Sequence, residues 1–119
     1  MSKNQKSVSN ATDYFHIPAS LASIGSGNGL KLVSNAIELY TVNVNKASTA
    51  VETLTLYDAV TASGATTSTD NIIGVFALTG VQTWALDVNV RKGICGIASG
   101  VTGGWDVTIT YGSKGPAGG

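Results

Sequence analysis

A chain that does chemistry with its side chains must bring them together, and this one has few to bring. In 119 residues it has one histidine, His16, one cysteine, Cys95, and seven carboxylates. A nucleophilic triad or a zinc site built on His16 lacks its usual partners, because a second His or Cys ligand set does not exist here. His16 sits between Phe15 and Ile17 and reads as a packing or surface residue. Cys95 cannot form an intramolecular disulfide, and its apolar setting, Gly93 to Ile97 (GICGI), predicts a buried, inert thiol. A pair of carboxylates at fixed separation cleaves glycosidic bonds. The candidates are Glu38, Glu52, Asp58, Asp87 and Asp106, all at positions that read as outward or strand-end, where a carboxylate is solvated.

Two motifs resemble sites without completing them. Gly25 to Gly29 (GSGNG) has the glycines of a phosphate loop, but it lacks the Gly-Lys-Ser/Thr ending and leads into a β run, so it reads as a turn. Asn10-Ala-Thr12 fits a glycosylation sequon, with no export signal to support its use. Trp84, Trp105, Tyr57 and Tyr111 could stack on a sugar, yet each tryptophan begins an alternating apolar face, which predicts burial in the core. The expectation is therefore a protein that is not an enzyme, with no catalytic residue, no cofactor and no metal.

The elements that must position these residues are strands. Short runs rich in Val, Ile, Leu and Thr alternate with turns of Gly, Ser, Asn and Ala from Leu30 to Tyr111. Strands are predicted over Asp13 to Ile17, Leu30 to Ser34, Ile37 to Asn45, Val51 to Asp58, Ile72 to Leu78, Trp84 to Val90, Gly93 to Ser99 and Trp105 to Tyr111. In the Ile37 run, Ile37 and Leu39 share one parity while Tyr40, Val42 and Val44 share the other, so a bulge or a strand shared by two sheets is expected. In the Val51 run, Leu54 and Leu56 point inward. Ile72 to Leu78 is almost continuously apolar and reads as a central strand. No ten-residue segment has a helical period, which argues against βαβ units. The fold class is all-β: a two-sheet antiparallel sandwich of about eight strands, of jelly-roll type, with an immunoglobulin-type sandwich as the alternative.

Residues 1–12 are polar and unpatterned and read as a flexible N-terminal arm. Residues 13–111 form the β-sandwich domain, and residues 112–119 a Gly-rich tail with glycine at every third position from Gly112 to Gly118. Two Gly-X-Y triplets are too short for a triple helix. The connection Ala59 to Asp70 is long, small-residued and uncharged until Asp70, where binding loops are commonly found. Charged residues make up 12% of the chain, with seven basic groups against seven acidic. Balanced charge gives no electrostatic drive toward nucleic acid or anionic lipid, and little repulsion between copies. No apolar run approaches the ~20 residues of a membrane span, and no secretory signal follows Met1, so synthesis in a cytoplasm is expected.

Val51 to Asp58 (VETLTLYD), a small-residue excursion, an apolar strand, the Trp84 to Val90 strand, Lys92 to Gly100 (KGICGIASG) and Asp106 to Tyr111 (DVTITY) follow one another in an order that resembles small virion proteins of tailed bacteriophages, including head decoration and cement proteins. The resemblance runs from Ile37 to Tyr111. It implies a structural protein on the capsid exterior that bridges neighbouring subunits of the major capsid protein, as a homo-oligomer with trimers favoured, and without nucleic acid, membrane or cofactor. It also implies a capsid-engaging arm, with Ser2, Lys3, Asn4, Gln5, Lys6, Ser7 and Val8 as interface residues. A tail or head fibre domain that binds a host-surface glycan or receptor is the other reading, and an exposed Trp or Tyr beside Asp and Asn would favour it.

Overall fold

The computed structural model describes residues 13–21, 30–59 and 71–113. Among them every element is a strand: β1 (Asp13–Pro18), β2 (Leu30–Val33), β3 (Ile37–Lys46), β4 (Thr53–Asp58), β5 (Ile72–Ala77), β6 (Thr83–Val90), β7 (Ile94–Ala98) and β8 (Asp106–Ser113). They make two four-stranded antiparallel sheets, ordered β1-β8-β3-β6 and β2-β7-β4-β5. The pairing is nested. β4 lies against β5, β3 against β6, β2 against β7 and β1 against β8, as in one long hairpin wound back on itself. No helix among the described residues is long and apolar enough to cross a membrane.

The two sheets close on one core. Ile17, Leu39, Val42, Val107 and Ile109 come from the first sheet, and Leu54, Leu56, Phe76 and Ile94 from the second. Burying each such side chain contributes about 1.5–3 kcal/mol, which offsets the entropy lost by ordering the strands. Trp105, immediately before β8, is 1% exposed and is the largest fully buried side chain. Its indole Nε1–H donates to the Gly100 carbonyl at 2.9 Å, so the polar edge of the ring is satisfied inside the fold.

The parity change in β3 is a bulge. Against β8 the register slips between Leu39 and Thr41, with Tyr40 as the extra residue. Ile37, Leu39, Val42 and Val44 are all buried as a result. On the other side of β3, the register with β6 slips at the same place, and Asp87 of β6 adopts φ 57°.

Four expectations are corrected. β5 is not central among the described strands: it is an edge strand with β4 as its neighbour, and Ile72 and Val75 are exposed. An apolar run is as compatible with an edge as with a centre, because strand polarity reports side-chain faces and not backbone partners. Trp84 is only half-buried, since it lies on the edge strand β6, where it meets Phe76 edge-on with ring centroids 5.0 Å apart. β8 continues through Ser113, two residues into the stretch read as tail, because Gly112 and Ser113 pair with Glu38 and Ile37. Glu52, read as a solvated outward or strand-end residue, is buried. Cys95 is fully buried as expected, in a small separate cluster with Ala59, flanked by Tyr57 and Ile97. Desolvation pushes its thiol pKa up, and the Sγ–H donates to the Ala59 carbonyl.

Candidate interaction surface

Three connections carry the same short pattern, two small residues, a valine and a polar residue: Thr49-Ala-Val-Glu52 between β3 and β4, Thr79-Gly-Val-Gln82 between β5 and β6, and Ser99-Gly-Val-Thr102 between β7 and β8. Nested antiparallel pairing puts all three at one end of the sandwich. Backbone hydrogen bonds tie them together there: Ser48 N–H to the Leu78 carbonyl at 2.6 Å, Leu78 N–H to the Glu52 carbonyl at 2.9 Å, and Thr49 N–H to the Gly103 carbonyl at 3.1 Å.

The centre of this tie is the Glu52 carboxylate. Its Oε1 accepts from the Ser48 hydroxyl at 2.8 Å and the Gly103 N–H at 3.1 Å. Its Oε2 accepts from the Thr102 N–H at 3.2 Å and the Thr102 hydroxyl at 3.1 Å. Four donors on one carboxylate make a rigid joint between two loops, since charge-assisted bonds are shorter and stronger than neutral ones. Gly103 is required for this approach: a Cβ there would collide with Ser48 Oγ and Glu52 Oε1. Desolvation raises the Glu52 pKa, but the bonds from Ser48, Gly103 and Thr102 together outweigh it and hold the carboxyl below its ordinary value.

While Glu52 turns inward, the valines of the three loops turn outward. Val51 is 92% exposed, Val81 68% and Val101 36%. Glu52 is the only ionisable residue in residues 47–52, 78–82 and 99–105. This end of the molecule thus carries a tip whose one ionisable side chain, Glu52, is buried and whose three valines face solvent, with exposed Lys46 and partly exposed Asp106 at its base. The other end has the opposite chemistry. There Asp58 at the end of β4 accepts the backbone N–H groups of Lys92 at 2.8 Å and Arg91 at 3.0 Å, and the side chains of Arg91 and Lys92 are exposed.

The outer face of the β1-β8-β3-β6 sheet is a hydrogen-bonded polar ladder. Asp106 receives His16 Nε2 at 2.7 Å on one oxygen and Asn45 Nδ2 at 2.8 Å on the other, and Asn45 also reaches the Thr108 hydroxyl. Further along, Thr83 donates to Asn43, Asn43 to Thr41, and Thr41 meets Thr110 at 2.6 Å. Desolvation raises the Asp106 pKa, but Asn45, His16 and Lys46 bring it below the ordinary aspartate value. Tyr14, 70% exposed, stands two residues before His16 on β1.

The sequence-derived candidates are scattered by this fold. Glu52 lies in the valine tip, Asp58 at the opposite end, Asp87 on edge strand β6, and Glu38 and Asp106 on neighbouring strands β3 and β8. Among the described residues no three His, Cys, Asp or Glu side chains converge as metal ligands. Trp105 is buried in the main core, Trp84 and Tyr111 are partly buried against it, and Tyr57 packs against the separate Ala59–Cys95 cluster. Ser2, Lys3, Asn4, Gln5, Lys6, Ser7 and Val8, the sequon at Asn10, the GSGNG turn and residues 60–70 lie outside the described residues. The tip itself was missed, although its signal was present: the three Val-centred repeats.

Both lowered carboxyls carry a pH dependence. A carboxyl whose folded pKa lies below its unfolded value stabilises fully above the unfolded value, and that stability is lost as pH falls through the folded one. Thermal melts are therefore expected to be level above about pH 5 and to drop below about pH 4, where unfolded carboxyls take up protons. Glu52→Gln should flatten part of that drop. A melting temperature constant down to pH 2, or the same acid slope in Glu52→Gln, would show that these carboxylates are not the source.

Searches against protein-family models, curated proteins and solved structures found no match to this chain.

Proposed function

We propose that this protein is a non-catalytic structural module that decorates the exterior of an assembled bacteriophage capsid and bridges neighbouring major capsid subunits. The nested strand pairing, which we read as a jelly roll, supports a virion protein of this kind. The observation that carries the reading is the three-valine tip, built on a joint whose carboxylate is buried and internally satisfied. Three valines bury too little surface for a tight one-to-one complex, since stable interfaces bury about 1,200–2,000 Å². A small apolar contact becomes strong when many copies meet a repeated partner, which is the situation on a symmetric shell. Residues 2–12 act in this reading as a tether that adds to a neighbour's sheet edge.

The test mixes the full-length protein, or a version lacking residues 2–12, with particles that lack it, then pellets and quantifies. Full-length protein is expected to saturate the particles and to stay bound at moderate salt, because no charge pair holds it. The truncated form is expected to remain folded with occupancy reduced about tenfold, as when one of two linked contacts is lost. Equal occupancy removes the tether role, and failure of the full-length protein to pellet overturns the decoration reading.

One observation favours a second reading, a fibre domain that binds a host-surface glycan. Exposed Tyr14 lies two residues from His16 on β1, and His16 bonds Asp106, which Asn45 also reaches, so an aromatic residue and directional polar groups share one strand edge. Saccharide binding abolished by Tyr14→Ala would support it.

A further inference from the structure

Among the described residues four strands form the edges of the two sheets, and three of them are guarded against pairing with another chain. β1 carries exposed Asp13 and His16 and ends in Pro18, which has no N–H to offer. β6 carries exposed Asp87 in a left-handed conformation at the point where its register slips. β2 has four residues, an exposed Lys31 and a register slip directly after it. Charges, proline, bulges and shortness are the devices by which edge strands avoid one another.

β5 is different. Its sequence, Ile-Ile-Gly-Val-Phe-Ala, has no charge and no proline. Its one irregularity lies at its start, between Tyr57 and Leu56 of β4. From Gly74 to Ala77 it is in continuous register with β4, which is its single strand partner among the described residues. Ile72 and Val75 are 40% and 58% exposed. An uncharged, regular, β-prone edge is a template for one more strand.

We propose that β5 pairs with β5 of a second copy of this chain, antiparallel about a two-fold axis at Val75, to make a continuous eight-stranded sheet across the dimer. The strand suits itself: it is apolar and uncharged along its whole length, so no like charges meet across the axis, and the chain's zero net charge adds no long-range repulsion. An antiparallel pair centred on Val75 sets Val75 beside its copy and Gly74 opposite Phe76, a small residue facing a large one. A two-fold contact of this kind uses the same surface twice and closes without polymerising. A six-residue pairing lies at the small end of specific interfaces, so the dimer is weak, with Kd on the order of micromolar. The contact is independent of what the valine tip touches.

Sedimentation of the full chain from low to high micromolar concentration tests this. A monomer–dimer equilibrium is expected, and Val75→Lys, an outward substitution, should weaken it at least tenfold. Val75→Cys gives a second measurement that does not depend on that variant folding well. Two such thiols across the axis should oxidise to a covalent dimer much faster than those of Val51→Cys, and native Cys95 is buried and does not compete. A monomer at every concentration overturns the proposal. So does a dimer that survives Val75→Lys, or equal cross-linking of the two cysteine variants.

Discussion

Trp105→Ala lowers the stability of this protein by about 3–5 kcal/mol, the cost of emptying a large aromatic site in a packed core. For a chain of this size that is a fall in melting temperature of about 12–20 °C. The ring is 1% exposed and belongs to the core shared by both sheets. Its indole N–H also holds the Gly100 carbonyl, in the loop that carries Val101. Two losses are therefore combined, packing and the anchor of one loop of the tip. Trp105→Phe separates them: it restores most of the apolar contact and leaves the Gly100 carbonyl without that donor, at about 1–3 kcal/mol. If alanine and phenylalanine cost the same, the hydrogen bond and not the packing dominates. If neither shifts the melt, the ring is not in the core.

If the valine tip binds particles as proposed, replacing Val51, Val81 and Val101 together by serine should weaken that binding by about 100- to 1,000-fold while leaving the fold intact. A valine transferred from water to a contact contributes about 1.5 kcal/mol when fully exposed beforehand and less when half-covered, so three sum to about 3–4 kcal/mol, or two to three powers of ten. The fold should tolerate the change because exposed substitutions typically move stability by less than about 0.5 kcal/mol each. Gly103→Ala gives the complementary case. It leaves the valines in place but drives a methyl into Ser48 and Glu52, so binding and melting temperature should fall together. Triple-serine protein that pellets like the parent would remove the tip from the interface.

Much of the fold was legible because strand alternation is local. Val107 and Ile109 alternating with Thr108 and Thr110 marked β8, and the parity change after Leu39 called for either a bulge or a strand shared by two sheets, of which the bulge is the one present. Neighbour relations were not legible. Whether Ile72 to Ala77 is central or edge depends on which strand lies beside it, and that choice is made by the topology of the whole chain. The same distance hid the polar contacts. Glu52 looked like a solvated strand-end residue because its donors Thr102 and Gly103 come from about fifty residues further on. His16 and Asp106, ninety residues apart in the chain, meet only when β1 lies against β8. The three valines hid for a simpler reason: an isolated exposed valine means nothing, and only their convergence on one end gives them weight.

The nested order of pairing also sets how this chain reaches its native state. β4 and β5 are the paired strands nearest in sequence, and each further pair encloses the last, out to Asp13 against Tyr111. Nearly every ladder is therefore non-local, and loop-closure entropy is spent before contacts return it. Chains with this contact order fold in milliseconds to seconds, far more slowly than helical bundles of similar size. β1, whose partner β8 lies farther away in the chain than that of any other strand, closes the largest of these loops, so the strand that bears Tyr14 and His16 is expected to complete the assembly last.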